Sequence, residues 1–298
     1  MSIDIAANEL QVAVIQHHCL SEIAANQSHI EESIQRAAQL GARLIVLQEL
    51  HNSTYFCQQE HPRFFDIAET IPGDSTRWLG SLAQLHQLVI VASLFEKRLA
   101  GVYHNTAVVF ETDGSIAGLY RKMHIPDDPG YYEKYYFTPG DQGFVPIDTS
   151  VGRLGVQVCW DQWFPEGARI NALAGAQLLI YPSAIGWEPS DTDAEKQRQL
   201  DAWITVQRAH AITNGIPVIS SNRQGTEQGD DGQQIDFWGH SFVCDSFGTV
   251  MAMASADQDE ILMATVNLNE SESTRRLWPF LRDRRIDAYQ QLKQRTID

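Results

Sequence analysis

The stretch GRLGVQVCWDQWFPEGARINALAGAQLLIYPSA, residues 152–184, contains the pattern that decides the fold class. It begins with an apolar run typical of a buried strand, residues 166–175 have the spacing of a helix, and residues 176–184 predict a second strand. This order indicates parallel strands of an α/β sheet. Cys159 ends the first strand, and open α/β sheets place their ligand sites at such strand ends.

The same alternation of strands and helices extends over most of the chain. Apolar runs predict strands over residues 10–18, 43–50, 88–96, 104–114, 115–122, 216–223 and 260–268. Helical spacing predicts helices over residues 21–42, 74–87 and 191–215. Hairpin turns are predicted at Asp113-Gly114 and, within 236–254, at Phe247-Gly248. No repeat or linker divides the chain. The sequence therefore predicts an α/β protein with a mixed sheet and one domain over 1–298, with a core of about 8–270 and a tail, 271–298.

Composition and charge argue against several classes of protein. Of the 298 residues, 43% are hydrophobic, and the formal net charge of −16 argues against a nucleic-acid partner, because phosphate binding requires a basic surface. No basic leader precedes the first apolar run, and no long uninterrupted apolar stretch occurs, so we expect no signal or membrane segment. The four cysteines are widely spaced and predict reduced thiols in a cytoplasmic protein.

Metal and phosphate motifs are missing from the sequence. Ten histidines are present, but none has the H-x₃-H or HExxH spacing of a metal site on one helix. The glycine-rich residues 224–232 lack the GK[ST] of a phosphate loop and predict a surface loop near the site. We therefore expect no metal and no cofactor.

Four ionisable side chains are candidates for a catalytic site. Glu49, Lys122 and Cys159 each end a predicted strand. Glu133 lies in the Pro-, Gly- and Tyr-rich loop 124–144, and a loop of that length in a compact domain is usually functional. Each residue also has a simpler explanation. Glu49 could be a carboxylate at a helix terminus, and Lys122 a solvated lysine. Cys159 could be a buried thiol, and Glu133 a charge on a loop.

Together the four groups match nucleophilic catalysis by a thiolate. Attack on an amide-like carbon requires a base for the thiol proton, and Glu49 is the candidate. The tetrahedral intermediate carries an oxyanion, which Lys122 and the backbone N–H of Trp160 would stabilise. If Cys159 begins a helix, the helix dipole would lower the pKa of its thiol.

Three segments resemble, in order, the signatures of the nitrilase superfamily of carbon–nitrogen hydrolases: LQEL (47–50), YRKMHI (120–125) and VCWDQWFPEGAR (158–169). The resemblance implies a four-layer αββα sandwich. It also implies protomers that pair into a homo-oligomer, and we expect the C-terminal tail to take part in those contacts.

The same resemblance assigns roles to the four candidates. It implies that Glu49 is the general base, that Lys122 stabilises the oxyanion and that Cys159 is the nucleophile. Glu133 matches an additional glutamate that orients the site.

Longer segments are similar to one branch of the superfamily, which hydrolyses N-carbamoylputrescine to putrescine, carbon dioxide and ammonia. These segments are 47–60, 124–144, 185–189 and 282–285. Relatives that act on carbamoyl amino acids resemble one another in an arginine three or four residues after the cysteine, where this chain has Gln162 and Trp163. Arginine is the natural partner of a substrate carboxylate, so its absence here argues against an acidic substrate. The sequence favours instead a small cationic ureido substrate.

A cationic tail requires a carboxylate and aromatic faces. Glu188 is the candidate carboxylate, and Trp187, Tyr55 and Trp163 are the candidate aromatic residues. The alternatives are a solvated loop charge for Glu188 and loop or interface packing for Tyr55. Two alternative functions also stay open, namely another amidase, nitrilase or carbamoyl amino acid hydrolase of this fold, and a catalytically silent binding protein.

Overall fold

Two six-stranded β-sheets form the centre of the computed structural model, which describes residues 9–230 and 232–297. The first sheet contains β1 (Glu9–Gln16), β2 (Leu44–Leu47), β3 (Val89–Leu99), β4 (Val102–Phe110), β5 (Ile116–Arg121) and β15 (Glu260–Asn267), in the order β15-β1-β2-β3-β4-β5. The second contains β6 (Ile147–Thr149), β7 (Gly152–Val156), β8 (Leu178–Pro182), β10 (Val218–Ser221), β13 (Phe242–Cys244) and β14 (Val250–Met253), in the order β14-β13-β10-β8-β7-β6. Parallel strands, β1 to β3 in one sheet and β7, β8 and β10 in the other, stand beside antiparallel ones, so both sheets are mixed.

Helices cover the outer faces of both sheets. They are α1 (Ile23–Gln39), α2 (Asp74–His86), α3 (Pro165–Leu173), α4 (Asp193–Asn214) and the short α5 (Glu270–Leu277). Among the described residues, none of these helices combines the length and the apolar character needed to cross a bilayer. Residues 1–8, 231 and 298 lie outside the described residues. The ends of the predicted domain 1–298, the first residue of its predicted core and the N-terminal segment predicted to lack a leader are among them.

Side chains of β1 alternate between two apolar cores. Val12 and Val14 lie in the core between the two sheets, whereas Ala13 and Ile15 lie in the core beneath α1 and α2. Residues of α3 and α4 pack on the second sheet in the same way. Because helices cover the outer faces of both sheets, the inner strands β2 and β8 are buried along their whole length. The four-layer αββα sandwich is therefore confirmed.

A third, three-stranded sheet corrects one prediction. Residues 224–232 were expected to form a surface loop, but β11 (Gln224–Gln228) pairs with β12 (Gln234–Trp238), which pairs in turn with β9 (Gly186–Trp187). The buried residues of β11 are Gln224 and Glu227, which are polar, so no apolar alternation marks the strand. The hairpin predicted within 236–254 begins only at β13, and its turn at Phe247-Gly248 is confirmed.

Candidate active site

Loops that follow strands of both sheets meet at one place. Glu49 comes after β2, Lys122 after β5 and Cys159 after β7. The backbone N–H of Glu49 donates to the carbonyl of Ser183, which follows β8, at 3.3 Å. The backbone N–H of Lys122 donates to the carbonyl of Asn105 on β4 at 2.9 Å. These contacts tie the backbones of Glu49 and Lys122 to neighbouring parts of the sandwich.

The ammonium of Lys122 lies between two carboxylates. Its Nζ is 2.8 Å from Oε1 of Glu49 and 2.7 Å from Oε2 of Glu133, and all three side chains are buried. Burial alone would lower the pKa of Lys122, but the charges of Glu133 and Glu49 outweigh it and hold that pKa well above its ordinary value. Lys122 is therefore a fixed cation at the centre of the site.

The two oxygens of the Glu49 carboxylate differ in their environment. Oε1 accepts hydrogen bonds from Lys122 and, at 2.6 Å, from Nδ2 of Asn105. The Asn105 amide is oriented by Ser93, whose hydroxyl donates to Oδ1 of Asn105 at 2.9 Å. Oε2 of Glu49 is buried and has no hydrogen-bond partner among the described residues. This second oxygen is therefore available to accept a proton.

Glu133 is held from both sides. The hydroxyl of Tyr55 donates to Oε1 of Glu133 at 2.7 Å, while Lys122 binds Oε2. Burial raises the pKa of Glu133 to about 7, Lys122 opposes this shift, and Glu49 adds to it. Tyr55 was predicted to contact the substrate, but the structure places its hydroxyl on Glu133 and its ring against Tyr131.

Cys159 occupies a strained turn. It begins a 3₁₀ turn, Cys159–Trp163, and its φ angle of 42° lies in the left-handed region that L-residues other than glycine rarely adopt. Asp161 braces this turn, since its Oδ2 accepts from the N–H of Val158 at 3.0 Å and from the hydroxyl of Tyr120 at 2.8 Å. Its Oδ1 accepts from the N–H of His124 at 3.0 Å. Asp161 therefore ties the cysteine to the loop that carries Lys122.

The structure decides between the two possibilities that the sequence left open, because Cys159 begins a 3₁₀ turn and not an α-helix. The following α-helix begins only at Pro165, and Cys159 itself is buried. Burial raises the pKa of the thiol well above its ordinary value, and the charge of Glu49 adds to this shift while Lys122 opposes it. The resting thiol is therefore neutral, and its attack requires a base.

A cavity of about 460 Å³ reaches Cys159 and Glu133, within the usual size range of small-molecule sites. Its wall contains aromatic and acidic side chains, namely Trp160, Trp163, Trp238, Asp128, Glu188 and Asp191. Among the described residues, no lysine, arginine or histidine lines it. Tyr55 and Trp187 are also outside the lining, and Trp187 packs against Trp238. Trp160, Trp163 and Glu188 were all singled out from the sequence.

Several residues of the site were not found from the sequence. Asp161 lies within the segment that suggested the family, but its role as a brace is visible only in three dimensions. Arg223 ends a predicted strand, so the rule that found Cys159 could have found it too. Across residues 9–230 and 232–297, no cluster of three or more His, Cys, Asp or Glu side chains is arranged to hold a metal ion.

Comparison with known families agrees with this geometry. The model of the carbon-nitrogen hydrolase family matches residues 11–276. The chain belongs to the carbon–nitrogen hydrolase family, that is, the nitrilase superfamily. The superfamily predicted from three short segments is thus confirmed, and this hydrolase is an enzyme that cleaves carbon–nitrogen bonds.

Individual relatives cover nearly the whole hydrolase. A citrullinase of Francisella tularensis is 41% identical over 284 residues, which are 95% of this chain and 98% of that protein. An N-carbamoylputrescine amidase of Solanum lycopersicum is 41% identical over 287 residues, 94% of each chain. The crystal structure of a carbon–nitrogen hydrolase from Helicobacter pylori superposes with a TM-score of 0.95 at 53% identity, covering 97% of this chain and 100% of that one.

Proposed function

We propose that this amidohydrolase converts N-carbamoylputrescine to putrescine, carbon dioxide and ammonia. The observation that carries the proposal is the cavity, which reaches Cys159 and Glu133 and whose wall includes three tryptophans and three further carboxylates, without a cationic side chain among the described residues. Such a site suits a neutral ureido group joined to an ammonium tail. Similarity to plant N-carbamoylputrescine amidases supports the same substrate.

In the first half of the reaction, Oε2 of Glu49 takes the thiol proton while Sγ of Cys159 attacks the ureido carbon. The negative charge that develops on the ureido oxygen is stabilised by Nζ of Lys122 and by the backbone N–H of Trp160. Glu49 then returns the proton to one ureido nitrogen, the carbon–nitrogen bond breaks, and a neutral amine leaves. A carbamoyl thioester remains on Cys159.

In the second half, Glu49 removes a proton from water, and the resulting hydroxide attacks the thioester carbon. The carbon–sulfur bond breaks, and the proton held by Glu49 returns to the thiolate of Cys159. The carbamic acid that is released loses carbon dioxide and yields the second amine. No redox step occurs, so the residues already named suffice for the reaction.

Glu133 has a supporting role in this mechanism. It binds Lys122 at 2.7 Å and keeps that side chain beside Glu49. Because two carboxylates surround Lys122, the lysine stays protonated and donates hydrogen bonds to the oxyanion throughout the cycle.

The distal ammonium of the substrate would bind the acidic part of the cavity wall. Glu188 and Asp191 both line it, and the N–H of Glu188 donates to Oδ2 of Asp191 at 3.2 Å, which keeps the two residues together. Trp163 supplies an aromatic face in the same cavity, whereas Gln162 is buried and accepts a hydrogen bond from Ser183. Positions 162 and 163, three and four residues after Cys159, thus provide no arginine that could bind a substrate carboxylate.

Citrulline is the second candidate substrate, because a citrullinase is among the similar proteins. Citrulline carries the same ureido group but adds a carboxylate beside its distal ammonium. Desolvating that carboxylate against Glu188 and Asp191 would be unfavourable, because none of the described lining residues carries a positive charge. The geometry therefore favours the diamine derivative.

The test is ammonia release from purified enzyme across a panel of substrates. The panel contains N-carbamoylputrescine, citrulline, N-carbamoyl-β-alanine, simple amides and nitriles, with the Cys159→Ala variant as the blank. We expect the highest kcat/KM for N-carbamoylputrescine. A preference for citrulline or N-carbamoyl-β-alanine would overturn the substrate assignment.

We also propose that the C-terminal tail, 271–298, contacts a second copy of this chain in a homo-oligomer. Large apolar side chains are exposed there, including Leu277, Trp278 and Phe280, and arginines are concentrated in the tail of a chain whose net charge is −16. Apolar contact and charge attraction to the acidic body of another copy would act together. The double variant Trp278→Asp, Phe280→Asp should sediment as a smaller species, and an unchanged sedimentation coefficient would contradict this assignment.

A cytoplasmic location is part of the same proposal. Cys19, Cys57, Cys159 and Cys244 are all unpaired and buried, and the nucleophile must be a reduced thiol, which a reducing compartment maintains. Fractionation of the source cells should place the activity with the cytoplasm; recovery outside it would contradict this location.

A further inference from the structure

The loop after β2 is held by an ion pair from a distant part of the chain. Nη1 of Arg223 donates to Oε1 of Glu227 at 2.6 Å, and both side chains are almost fully buried. We propose that this pair is a positioning device for the reaction, which sets where Glu49 and Glu133 stand on either side of Lys122. The proposal rests on the function proposed above.

Arg223 fixes the backbone on which the proposed base stands. Its Nη2 donates to the carbonyl oxygens of Glu49 and Leu50, each at 3.0 Å, and its Nη1 donates to the carbonyl of Ser53 at 2.8 Å. Leu50 has a φ angle of 48°, so the chain turns there through a conformation that L-residues rarely adopt. A planar guanidinium with several fixed donors can hold such a turn, and a lysine ammonium reaches fewer acceptors.

Glu227 links the ion pair to Glu133, the second carboxylate that binds Lys122. Its Oε2 accepts a hydrogen bond from the backbone N–H of Tyr55 at 2.5 Å. The hydroxyl of Tyr55 donates to Glu133, and Glu133 shares Lys122 with Glu49. Together with the contacts of Arg223, these bonds form a closed ring that begins and ends at Glu49. A shift of the ion pair would therefore change the spacing of both carboxylates around the ammonium.

A pair that only stabilised the fold would behave differently. Replacing both members of a buried ion pair by apolar residues is often neutral for stability, whereas removing one member leaves an uncompensated charge. If the pair is structural alone, activity should follow stability in every variant. If it positions the reacting groups, an apolar replacement should restore stability without restoring turnover.

The experiment measures kcat, KM and the thermal midpoint of Glu227→Gln, Arg223→Lys and the double variant Arg223→Met, Glu227→Leu. Neither residue lines the cavity, so KM should stay within about threefold of wild type while kcat falls about 10- to 100-fold, as displaced catalytic groups do. We expect the double variant to regain the thermal midpoint but not kcat. The control is Arg208→Met, which also loses a hydrogen bond from an arginine to a main-chain carbonyl, that of Gly248, and should keep wild-type kcat.

Two results would overturn the proposal. One is wild-type kcat in Glu227→Gln, and the other is recovery of kcat together with stability in the double variant. If the double variant does not fold, Glu227→Gln alone decides, because it keeps the contacts of Arg223 with the main chain. Failure of the proposed substrate is distinguishable, since wild type would then be inactive on N-carbamoylputrescine, and the same variants would be assayed on the amide that wild type does hydrolyse.

Discussion

The ammonium of Lys122 lies 2.8 Å from Oε1 of Glu49, and Oε2 of the same carboxylate is buried without a partner among the described residues. The hydrogen bonds to Oε1 fix this carboxylate in place, and Oε2 can still accept a proton. The neighbouring thiol of Cys159 has its pKa raised by burial, so it has a proton to give. This asymmetry supports the role of base proposed for Glu49, in addition to its contact with the lysine.

Glu49→Gln removes the proton acceptor and keeps nearly the same shape. We expect kcat to fall roughly 10²- to 10⁴-fold, which is the usual contribution of a general base, with little change in KM. Ammonia release under saturating substrate measures the effect. Glu111→Gln is the control, since Glu111 accepts hydrogen bonds from Ser150 and does not line the cavity. A loss of less than about tenfold would contradict the role of Glu49.

Asp161→Asn weakens the brace beneath the nucleophile. The amide nitrogen cannot accept hydrogen bonds, so one of the buried donors around position 161 loses its partner, at a cost of about 1–3 kcal/mol of stability. We expect a lower thermal midpoint and at least a roughly tenfold loss of kcat, because the strained turn at Cys159 relaxes.

The matched control for this variant is Asp245→Asn. Asp245 also accepts from backbone N–H groups, those of Phe247 and Thr249, but in the turn between β13 and β14. Both N–H groups donate to Oδ1, which asparagine keeps, so this variant should change the charge and retain wild-type kcat. Equal kcat losses in the two variants would mean that Asp161 has no specific relation to the nucleophile.

Glu188→Gln tests recognition of the cationic tail. Losing one charge-assisted contact at an exposed position should raise KM for N-carbamoylputrescine by roughly tenfold, with kcat nearly unchanged. The effect should shrink at high salt, because exposed charges are screened. Glu22→Gln, another exposed glutamate outside the cavity, is the control. An unchanged KM would remove Glu188 from the binding site.

Buried histidines predict how stability depends on pH. Burial lowers the pKa of His17 and of His51 from 6.5 to about 3, so below pH 6.5 the unfolded chain binds two more protons than the folded one. Glu133 has the opposite effect on stability, because its pKa is raised from 4.5 to about 7. Between these pH values the folded chain binds a proton that the unfolded chain releases. His104 and His210 are also buried with a lowered pKa, so they act in the same direction as His17 and His51 and together outnumber Glu133. The free energy of unfolding should therefore fall as the pH is lowered through 6.5.

His51→Phe isolates one of these contributions. His51 is fully buried, and burial keeps its ring neutral, so a phenyl ring of similar size removes one titrating group. We expect the free energy of unfolding to depend less on pH between 4.5 and 6.5, as measured by urea unfolding at several pH values. A slope equal to that of wild type would show that His51 is not buried as a neutral ring.

The strand ends that bear the candidate catalytic residues could be predicted from the sequence. Glu49, Lys122 and Cys159 each follow a strand that the pattern of apolar residues predicted, and those strands belong to two sheets. Tyr55 was assigned to the substrate as an aromatic face for the cationic tail. Its partner, Glu133, is distant in sequence, and no local pattern reports their 2.7 Å contact.

Burial of polar groups explains the remaining errors. Glu227 lies in a glycine-rich stretch that predicted a surface loop, yet it is buried because Arg223 and Tyr55 satisfy both of its oxygens. Hydrophobic patterning cannot detect a strand whose buried side chains are polar. The direction of the shift in the thiol pKa could not be predicted for a related reason, since desolvation of Cys159 depends on tertiary packing.

The central claim is that Cys159 carries the carbamoyl group of N-carbamoylputrescine during turnover. Its most direct test is mass spectrometry of the enzyme after acid quenching within the first turnover, with Cys159→Ala as the blank. We predict a carbamoyl adduct on the peptide that contains Cys159, formed before the first full turnover and absent from the variant. Turnover of N-carbamoylputrescine without that adduct, or by the Cys159→Ala variant, would contradict the account.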